Sequence, residues 1–348
     1  MDLSRRLFGG ALAAGAAGLA ATTLSGCSTD SSDAPVTPVP GADHRAGAGA
    51  NATLGPIKHI DAGVLNVGYA EFGPSTGQPV ILVHGWPYDP YAFADVGPIL
   101  AAAGYRVLVP FLRGYGSTTF LSAHTVRNGQ QSAIARDIVD FMDALHIDKA
   151  ILGGFDWGAR TVDIVAALWP QRCKAIVAVS GYLITQLAMQ QQPLTPQAEL
   201  GWWYQYYFAT ERGRLGYSNN RNDFNKLIWQ LASPQWEFDD ATYARSALTW
   251  DNPDHVDIVV HNYRWRLSLA PGEPHYDVYE QQLATGPAIT VPAITISSDF
   301  DGAAKDGKAY RAKFTGEYEH RVLDGIGHNV PQEAPRPFAQ AIIDADHL

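Results

Sequence analysis

From Ile57 onward, short β-branched runs alternate with longer amphipathic stretches. The apolar runs Ile57–Ile60, Leu65–Phe72, Val80–Val83, Arg106–Val109, Ala150–Leu152, Ala175–Val179, Ala293–Ser297 and Tyr318–Leu323 read as strands. Several central ones are uniformly apolar, as in strands covered on both faces. The 3.6-residue pattern predicts helices over Tyr91–Ala103, Ser132–Leu145, Gly158–Trp169, Lys305–Phe314 and Pro337–Asp344. Two hairpin-like strands followed by strand–helix alternation predict an α/β fold: a mostly parallel eight-stranded sheet with helices on both faces. From about Leu183 to Pro287 the rhythm breaks. That stretch is rich in Trp, Tyr, Gln and Asn, has no strand-like runs, and reads as a helical insertion after the sixth strand. The domains expected are a core over 56–182 and 291–348 with a helical cap over 183–290.

The first 55 residues follow a different logic. Arg5 and Arg6 precede an Ala/Gly/Leu stretch that ends at Leu24-Ser25-Gly26-Cys27. A charged start, an apolar middle and small residues at the end make residues 1–26 an export signal, and Ser4-Arg5-Arg6-Leu7-Phe8 resembles the twin-arginine motif. Leu24 to Cys27 resembles a lipobox, so Cys27 is the expected lipidation site; the plainer alternative is that the apolar stretch stays uncleaved as a membrane-spanning anchor. Residues 27–55, nearly bare of large apolar side chains, read as a flexible tether of about 30 Å reach. The expectation is an exported protein on the outer face of the cell membrane, held there by a lipid.

Composition narrows the rest. The chain has 348 residues and 25 basic against 35 acidic side chains, a net charge of −10. That balance argues against nucleic acid as partner. Two cysteines, Cys27 and Cys173, exclude a disulfide scaffold, and Cys173 reads as a buried small hydrophobe at a strand start. No metal or organic cofactor is implied, and the oligomeric state is left open.

Three loops carry candidate chemistry. The fifth strand runs into Gly154-Phe155-Asp156-Trp157-Gly158 and then a helix. Glycines on either side let the chain turn sharply, which would hold Asp156 strained and exposed at the carboxyl end of the sheet; the plain structural alternative is an Asp capping that helix. His84-Gly85-Trp86-Pro87 follows the third strand, where the N–H groups of Trp86 and Trp157 would form an oxyanion hole. Gly325-Ile326-Gly327-His328 follows the last strand and offers a base, with Asp299 or Asp301 before it to orient the imidazole. The order nucleophile, acid, base is that of α/β-hydrolases.

On these residues, with Arg113-Gly114-Tyr115-Gly116-Ser117 added, residues 57–348 resemble the α/β-hydrolase superfamily, and within it the Asp-nucleophile branch of epoxide hydrolases and dehalogenases. The resemblance implies Asp156 as nucleophile, His328 as base and Asp301, preferred to Asp299, as its partner. Phe111 departs from the family, where many relatives carry Asp. An Asp nucleophile attacks saturated carbon and leaves an ester that water then hydrolyses. Trp203-Tyr204-Gln205-Tyr206-Tyr207-Phe208 and His261-Asn262-Tyr263-Arg264 resemble the two lid segments of epoxide hydrolases, which implies Tyr204 and Tyr263 as proton donors to the opening ring. The expected substrate is a small hydrophobic epoxide. Haloalkane dehalogenation with the same triad is the second reading, with Trp157 and one of Trp86, Trp202, Trp203 or Trp265 as halide donors. A fluoroacetate dehalogenase would need two arginines near the nucleophile to hold a carboxylate: Arg160 matches one, Trp157 stands where the other belongs, and pairing with a helix-face acid such as Asp163 or with a core carbonyl is the plainer reading of Arg160. The non-enzyme reading is a surface lipoprotein that binds small hydrophobic ligands.

Overall fold

The computed structural model describes residues 53–348 together with the two-residue strand Thr37–Pro38; the expected signal, Cys27 and most of the expected tether lie outside the described residues. The strands are β1 (Thr37–Pro38), β2 (Lys58–Ala62), β3 (Leu65–Phe72), β4 (Pro79–Val83), β5 (Arg106–Pro110), β6 (Thr119–Phe120), β7 (Ala150–Gly154), β8 (Cys173–Val179), β9 (Ala293–Ser298) and β10 (Tyr318–Leu323). They form one sheet in the order β1-β10-β9-β8-β7-β4-β5-β3-β2, with β6 paired to β3. The run from β1 to β5 across the sheet is parallel, and β2, β3 and β6 pair antiparallel. The eight expected strands are all present. The two additions, β1 and β6, are each two residues long, too short to leave a period-2 pattern in sequence.

The sheet is covered by α1 (Val96–Ala102), α2 (Gln131–Ala144), α3 (Trp157–Leu168) and α12 (Pro335–Ala345), the last preceded by the short α11 (Val330–Glu333). Strands β4, β7, β8 and β9 are buried almost throughout, which their unbroken apolar runs require. Cys173 opens β8 fully buried, and burial pushes its thiol up to about 12, so it stays a neutral apolar group.

Between β8 and β9 lies the helical cap: α4 (Leu187–Gln190), α5 (Pro196–Gly201), α6 (Trp203–Phe208), α7 (Glu211–Ala232), α8 (Asp240–Ala247), α9 (His255–Arg266) and α10 (Asp277–Ala284). Polar ties bind it to the core loops. Asn252 Nδ2 donates to the carbonyls of Gly116 (3.0 Å) and Thr118 (2.7 Å), and Gly116 N–H donates to Thr249 O at 2.7 Å. Gly114 lies against α9, where a Cβ would come within 3.1 Å of Ile258. Arg113, fully buried, is neutralised by Asp137 at 2.6 Å and donates to Asn128 O at 2.6 Å. The Arg113-to-Ser117 motif therefore seats the cap rather than touching the chemistry.

Two helical expectations are corrected. Lys305–Phe314 is not an α-helix: it is turns and a short 3₁₀ segment at Arg311–Lys313. Gly307 breaks it at φ +68°, and Lys305 is drawn outward to Asp299 and Asp324. The stretch Tyr91–Ala103 divides into a 3₁₀ turn at Pro90–Phe93 and α1.

Asp89, on the loop after β4, is fully buried and holds Ser246 of α8 through Oδ1 at 2.9 Å, while Oδ2 has no partner. Burial pushes its carboxyl up to about 7, offset in part by the Ser246 hydroxyl. The folded protein therefore holds this proton more tightly than the unfolded chain, whose Asp titrates near ~3.9. The resulting stability is complete below about pH 4 and is lost as pH rises through about 7. Replacing Asp89 with Asn should leave the denaturation midpoint little changed at low pH. It should raise stability above neutrality by up to ~4 kcal/mol, read from urea unfolding at both pH values.

Candidate active site

Asp156 stands between β7 and α3 at φ 56°, ψ −126°, a region that L-residues enter only under constraint. Its neighbours supply the constraint. A Cβ on Gly158 would fall 1.8 Å from Val83 O, and one on Gly154 would fall 2.5 Å from the Gly158 carbonyl. Helix and strand thus approach as closely as backbone allows, and the chain between them must bend sharply. The Asp156 side chain makes no capping bond to α3, so the plain helix-cap alternative fails.

The carboxylate is instead divided between two partners. Oδ1 accepts the Trp86 N–H at 2.7 Å, and Oδ2 lies 3.3 Å from His328 Nε2. Gly85 makes the first contact possible, since a Cβ there would sit 2.1 Å from Asp156 Oδ1 and 2.5 Å from the Trp157 nitrogen. The Trp157 N–H, expected as the second donor, makes no hydrogen bond to the carboxylate. The Trp86 loop is stiffened from below by His84. Leu112 N–H donates to its Nε2 at 3.2 Å, which leaves Nδ1–H to donate to Gly85 O at 3.1 Å. Burial holds this imidazole down at about 4, so it is neutral and structural. From above, Trp86 Nε1–H donates to the Tyr217 phenol oxygen Oη at 2.8 Å, and that phenol lies 2.9 Å from His255 Nε2.

His328 sits on the loop after β10. Its ring lies 4.0 Å from that of Phe300, centroid to centroid. A clamp absent from the sequence reading fixes this loop. Ser233, just past α7, accepts the His328 N–H at 2.9 Å and donates to Glu333 at 2.6 Å; Glu333 in turn accepts the N–H groups of Gly327 and Asn329. A side chain at position 327 would meet Ser233 Cα at 2.5 Å, hence glycine.

The two acids before it part company. Asp299 turns outward to Lys305 at 2.5 Å and accepts the Gly325 N–H at 2.8 Å. Asp301 turns inward, buried, into the cavity that His328 also lines. Its Oδ2 accepts the Ser298 N–H at 2.8 Å as half of a capping box. Burial raises its carboxyl, while the Ser298 bond and the nearby His328 ring oppose the rise. His328 Nδ1 makes no hydrogen bond, so the structure brings Asp301 to the histidine without closing that contact.

Tyr204 and Tyr263, from α6 and α9, meet above Asp156 with ring centroids 5.3 Å apart, and each packs on Trp86, at 5.1 and 5.3 Å. Burial, and then charge repulsion that includes Asp156, push both phenols well above their ordinary value. Both are therefore protonated donors across the neutral range. The cavity reaches Asp156 through two lobes that share Asp156, Trp202, Phe300 and His328. Tyr204 borders the first, an apolar lobe; Tyr263, Arg160 and Arg266 border the second. Arg160 is buried on α3 and is not paired to Asp163, whose carboxylate accepts the Leu183 N–H at 2.7 Å. Among the described residues no helix is long and apolar enough to cross a membrane, and no His, Cys, Asp or Glu cluster has the makings of a metal site.

Comparison with known proteins agrees with this architecture. The family described as the alpha/beta hydrolase fold matches residues 78–330. Epoxide hydrolase A of Mycobacterium tuberculosis is 25% identical over 315 residues, covering 82% of this chain and 95% of its own. Epoxide hydrolase B of the same organism is 33% identical over 150 residues, 39% of this chain and 41% of its own. A crystal structure of a proposed epoxide hydrolase from Klebsiella pneumoniae superposes with a TM-score of 0.83 at 60% identity, covering 86% of this chain and all of that one.

The Ser233–Glu333 clamp predicts a kinetic signature. Replacing Ser233 with Ala removes a buried bond at each end, at a cost of about 1–3 kcal/mol in stability. Turnover should fall more than tenfold with KM little changed, because the loop that carries His328 loosens while the rest of the cavity lining is untouched. Steady-state kinetics beside a denaturation curve tests this; equal losses in kcat and in substrate affinity would contradict it.

Proposed function

Given that this chain belongs to the α/β-hydrolase fold family and is an enzyme of epoxide-hydrolase type, we propose that it opens epoxides to diols through an ester on Asp156. The observation that carries the reading is the division of the Asp156 carboxylate between Trp86 N–H and His328. With Oδ1 held by a backbone N–H, Oδ2 attacks the oxirane carbon and the C–O bond breaks. Tyr204 and Tyr263 donate hydrogen bonds to the oxygen as charge grows on it, and a proton passes to the alkoxide. Oδ1 is then the ester carbonyl oxygen, still on the Trp86 N–H, which with the Trp157 N–H would hold the oxyanion of the next step. His328 removes a proton from water as the water attacks the Asp156 carbonyl carbon. Asp301 steadies the imidazolium that forms; the tetrahedral adduct then collapses with cleavage of the Cγ–Oδ2 bond, and the imidazolium gives its proton to the leaving alkoxide, which departs as the diol. Water in this step replaces an oxygen of Asp156 itself.

A specific observation supports a second reading. The indole nitrogens of Trp157 and Trp202 are buried without acceptors, and both side chains line the larger lobe. Two such donors suit a departing halide. Product analysis with matched epoxides and haloalkanes separates the readings. The epoxide account expects diol without halide release, and a loss of at least tenfold in turnover for Tyr204→Phe with Tyr263→Phe. Replacing Asp156 with Ala should abolish diol formation by ~10³-fold or more, and His328→Gln protein should accumulate a covalent adduct of the epoxide's mass. Diol formation that survives in Asp156→Ala would overturn the reading, as would an intact His328→Gln rate.

Export and lipidation at Cys27 belong to the same proposal and rest on the Arg5-Arg6 and Leu24-to-Cys27 motifs. In a bacterial host, Cys27→Ala should move the protein from the membrane fraction to the soluble one. Unchanged fractionation would argue for another anchor or none.

A further inference from the structure

Two buried polar atoms lie near Asp301 without partners among the described residues. One is His328 Nδ1, and the other is the hydroxyl of Ser180, the residue that follows β8. The three side chains line the same lobe of the cavity. Asp301 uses Oδ2 to accept the Ser298 N–H and, among the described residues, accepts nothing at Oδ1. Burial raises its carboxyl, and the Ser298 N–H, then Ser180, then His328 oppose the rise. Ser180 is thus within electrostatic reach of Asp301, although its hydroxyl closes no hydrogen bond.

Other groups around Asp301 are engaged elsewhere. His320 of β10 lies 2.9 Å from Thr295 Oγ1 through Nδ1 and 2.9 Å from Lys305 O through Nε2. Tyr310 Oη lies 3.1 Å from Ser297 Oγ. Arg160, in the same lobe, feels the charges of Arg266, Asp156, Tyr263 and Glu280 rather than that of Asp301. A buried hydroxyl and a buried ring nitrogen left bare both cost free energy. One free carboxylate oxygen, with two lone pairs, can satisfy both.

The backbone adds a second observation. Ser180 stands at φ 65°, in the left-handed region that a residue with a Cβ adopts at a cost and glycine adopts freely. The turn is fixed on both sides. Ser180 N–H donates to Ile296 O at 2.7 Å, which carries the β8–β9 pairing one residue further. Gly181, at φ 76°, lies against the Tyr310 ring, where a Cβ would fall 2.2 Å from Cζ. A strained serine where glycine would fold more easily points to a side chain kept for what its hydroxyl does.

We propose that Ser180 is a positioning residue of the triad, whose hydroxyl donates to Asp301 and holds that carboxylate turned toward His328 Nδ1. This rests on the epoxide-opening reading of Asp156, in which Asp301 and His328 act on the ester. Ser180 therefore serves hydrolysis of the ester and not opening of the ring. With the hydroxyl in place, Asp301 meets the imidazole as it takes a proton from water. Without it the carboxylate is held by Ser298 alone, and the imidazolium forms against a badly placed partner.

Two variants separate this role from a structural one. Ser180→Gly removes the hydroxyl and the strain together, whereas Ser180→Ala removes the hydroxyl and keeps the strain. With full-chain protein in excess over styrene oxide, rapid quenching and intact mass follow the adduct on Asp156 as it forms and decays. Formation should keep its rate within about twofold in both variants, while decay slows by about fivefold or more. Steady-state kcat should fall with the decay rate, and KM should fall in step because the ester accumulates, which leaves kcat/KM nearly unchanged. Ser180→Gly should melt no lower than the unaltered chain, since glycine takes this φ without penalty. Decay at the unaltered rate in either variant would overturn the proposal. So would a Ser180→Gly protein that melts lower and loses both rates together, which would make Ser180 a structural residue. Normal adduct formation with unchanged decay removes the role of Ser180 and leaves the Asp156 reading standing; diol release with no adduct in any variant, His328→Gln included, removes the reading itself.

Discussion

The site depends on a backbone conformation that an ordinary residue avoids. Asp156 is held at positive φ because Gly154 and Gly158 let β7, α3 and the end of β4 come within van der Waals contact of one another. Strain of this kind costs about 1–3 kcal/mol and persists only where the surroundings over-determine it. Here they do: β4 and β7 are adjacent, parallel and buried in the middle of the sheet, and the loops from their carboxyl ends have nowhere else to go. The chain order reverses at this pair, with β5 on one side and β8 on the other, so the loops diverge and leave a crevice above the strand ends. The carboxylate is presented into that crevice with one oxygen on a backbone N–H and the other facing an imidazole.

The cap completes what the core begins. Trp86, Tyr204, Phe208, Tyr217 and Tyr263 form one aromatic cluster over Asp156, with ring centroids 5.0–6.4 Å apart. Its apolar faces lower the local dielectric, which strengthens each remaining polar contact, while its phenols stay protonated and able to donate. The same cluster carries the hydrogen bond from Trp86 Nε1 to Tyr217, so that the cap helps place the N–H that holds Asp156. Core and cap are thus coupled at the point where the proposed ester forms.

The parts that could be read from sequence are those whose physics is local. Unbroken Val/Ile/Leu runs mark buried parallel strands, and paired glycines around Asp156 or beside His328 mark places where backbone approaches backbone. Asp299 and Asp301 could not be separated by spacing alone. They part because Ser298 and Asp301 form a reciprocal cap while Lys305 draws Asp299 to the surface. The Lys305–Phe314 stretch carried a helical pattern, yet Gly307 and the outward pull on Lys305 broke it. Ser233, Glu333 and Arg266 were invisible for a different reason. Ser233 meets the His328 loop from 95 positions away, and Arg266 enters the cavity from α9, whose Tyr263 packs near Trp157 with ring centroids 6.0 Å apart. No local pattern announces a contact made by the folding of a cap.

The most direct test of the covalent account is the fate of oxygen in one turnover. Enzyme in excess over epoxide, in water enriched in ¹⁸O, should release a first-turnover diol without the label. The label should then appear in the proteolytic peptide that contains Asp156, because water attacks the ester carbonyl and one carboxylate oxygen leaves with the product. A first-turnover diol that carries ¹⁸O, with an unlabelled Asp156 peptide, would mean that water attacks the epoxide directly and would contradict the account.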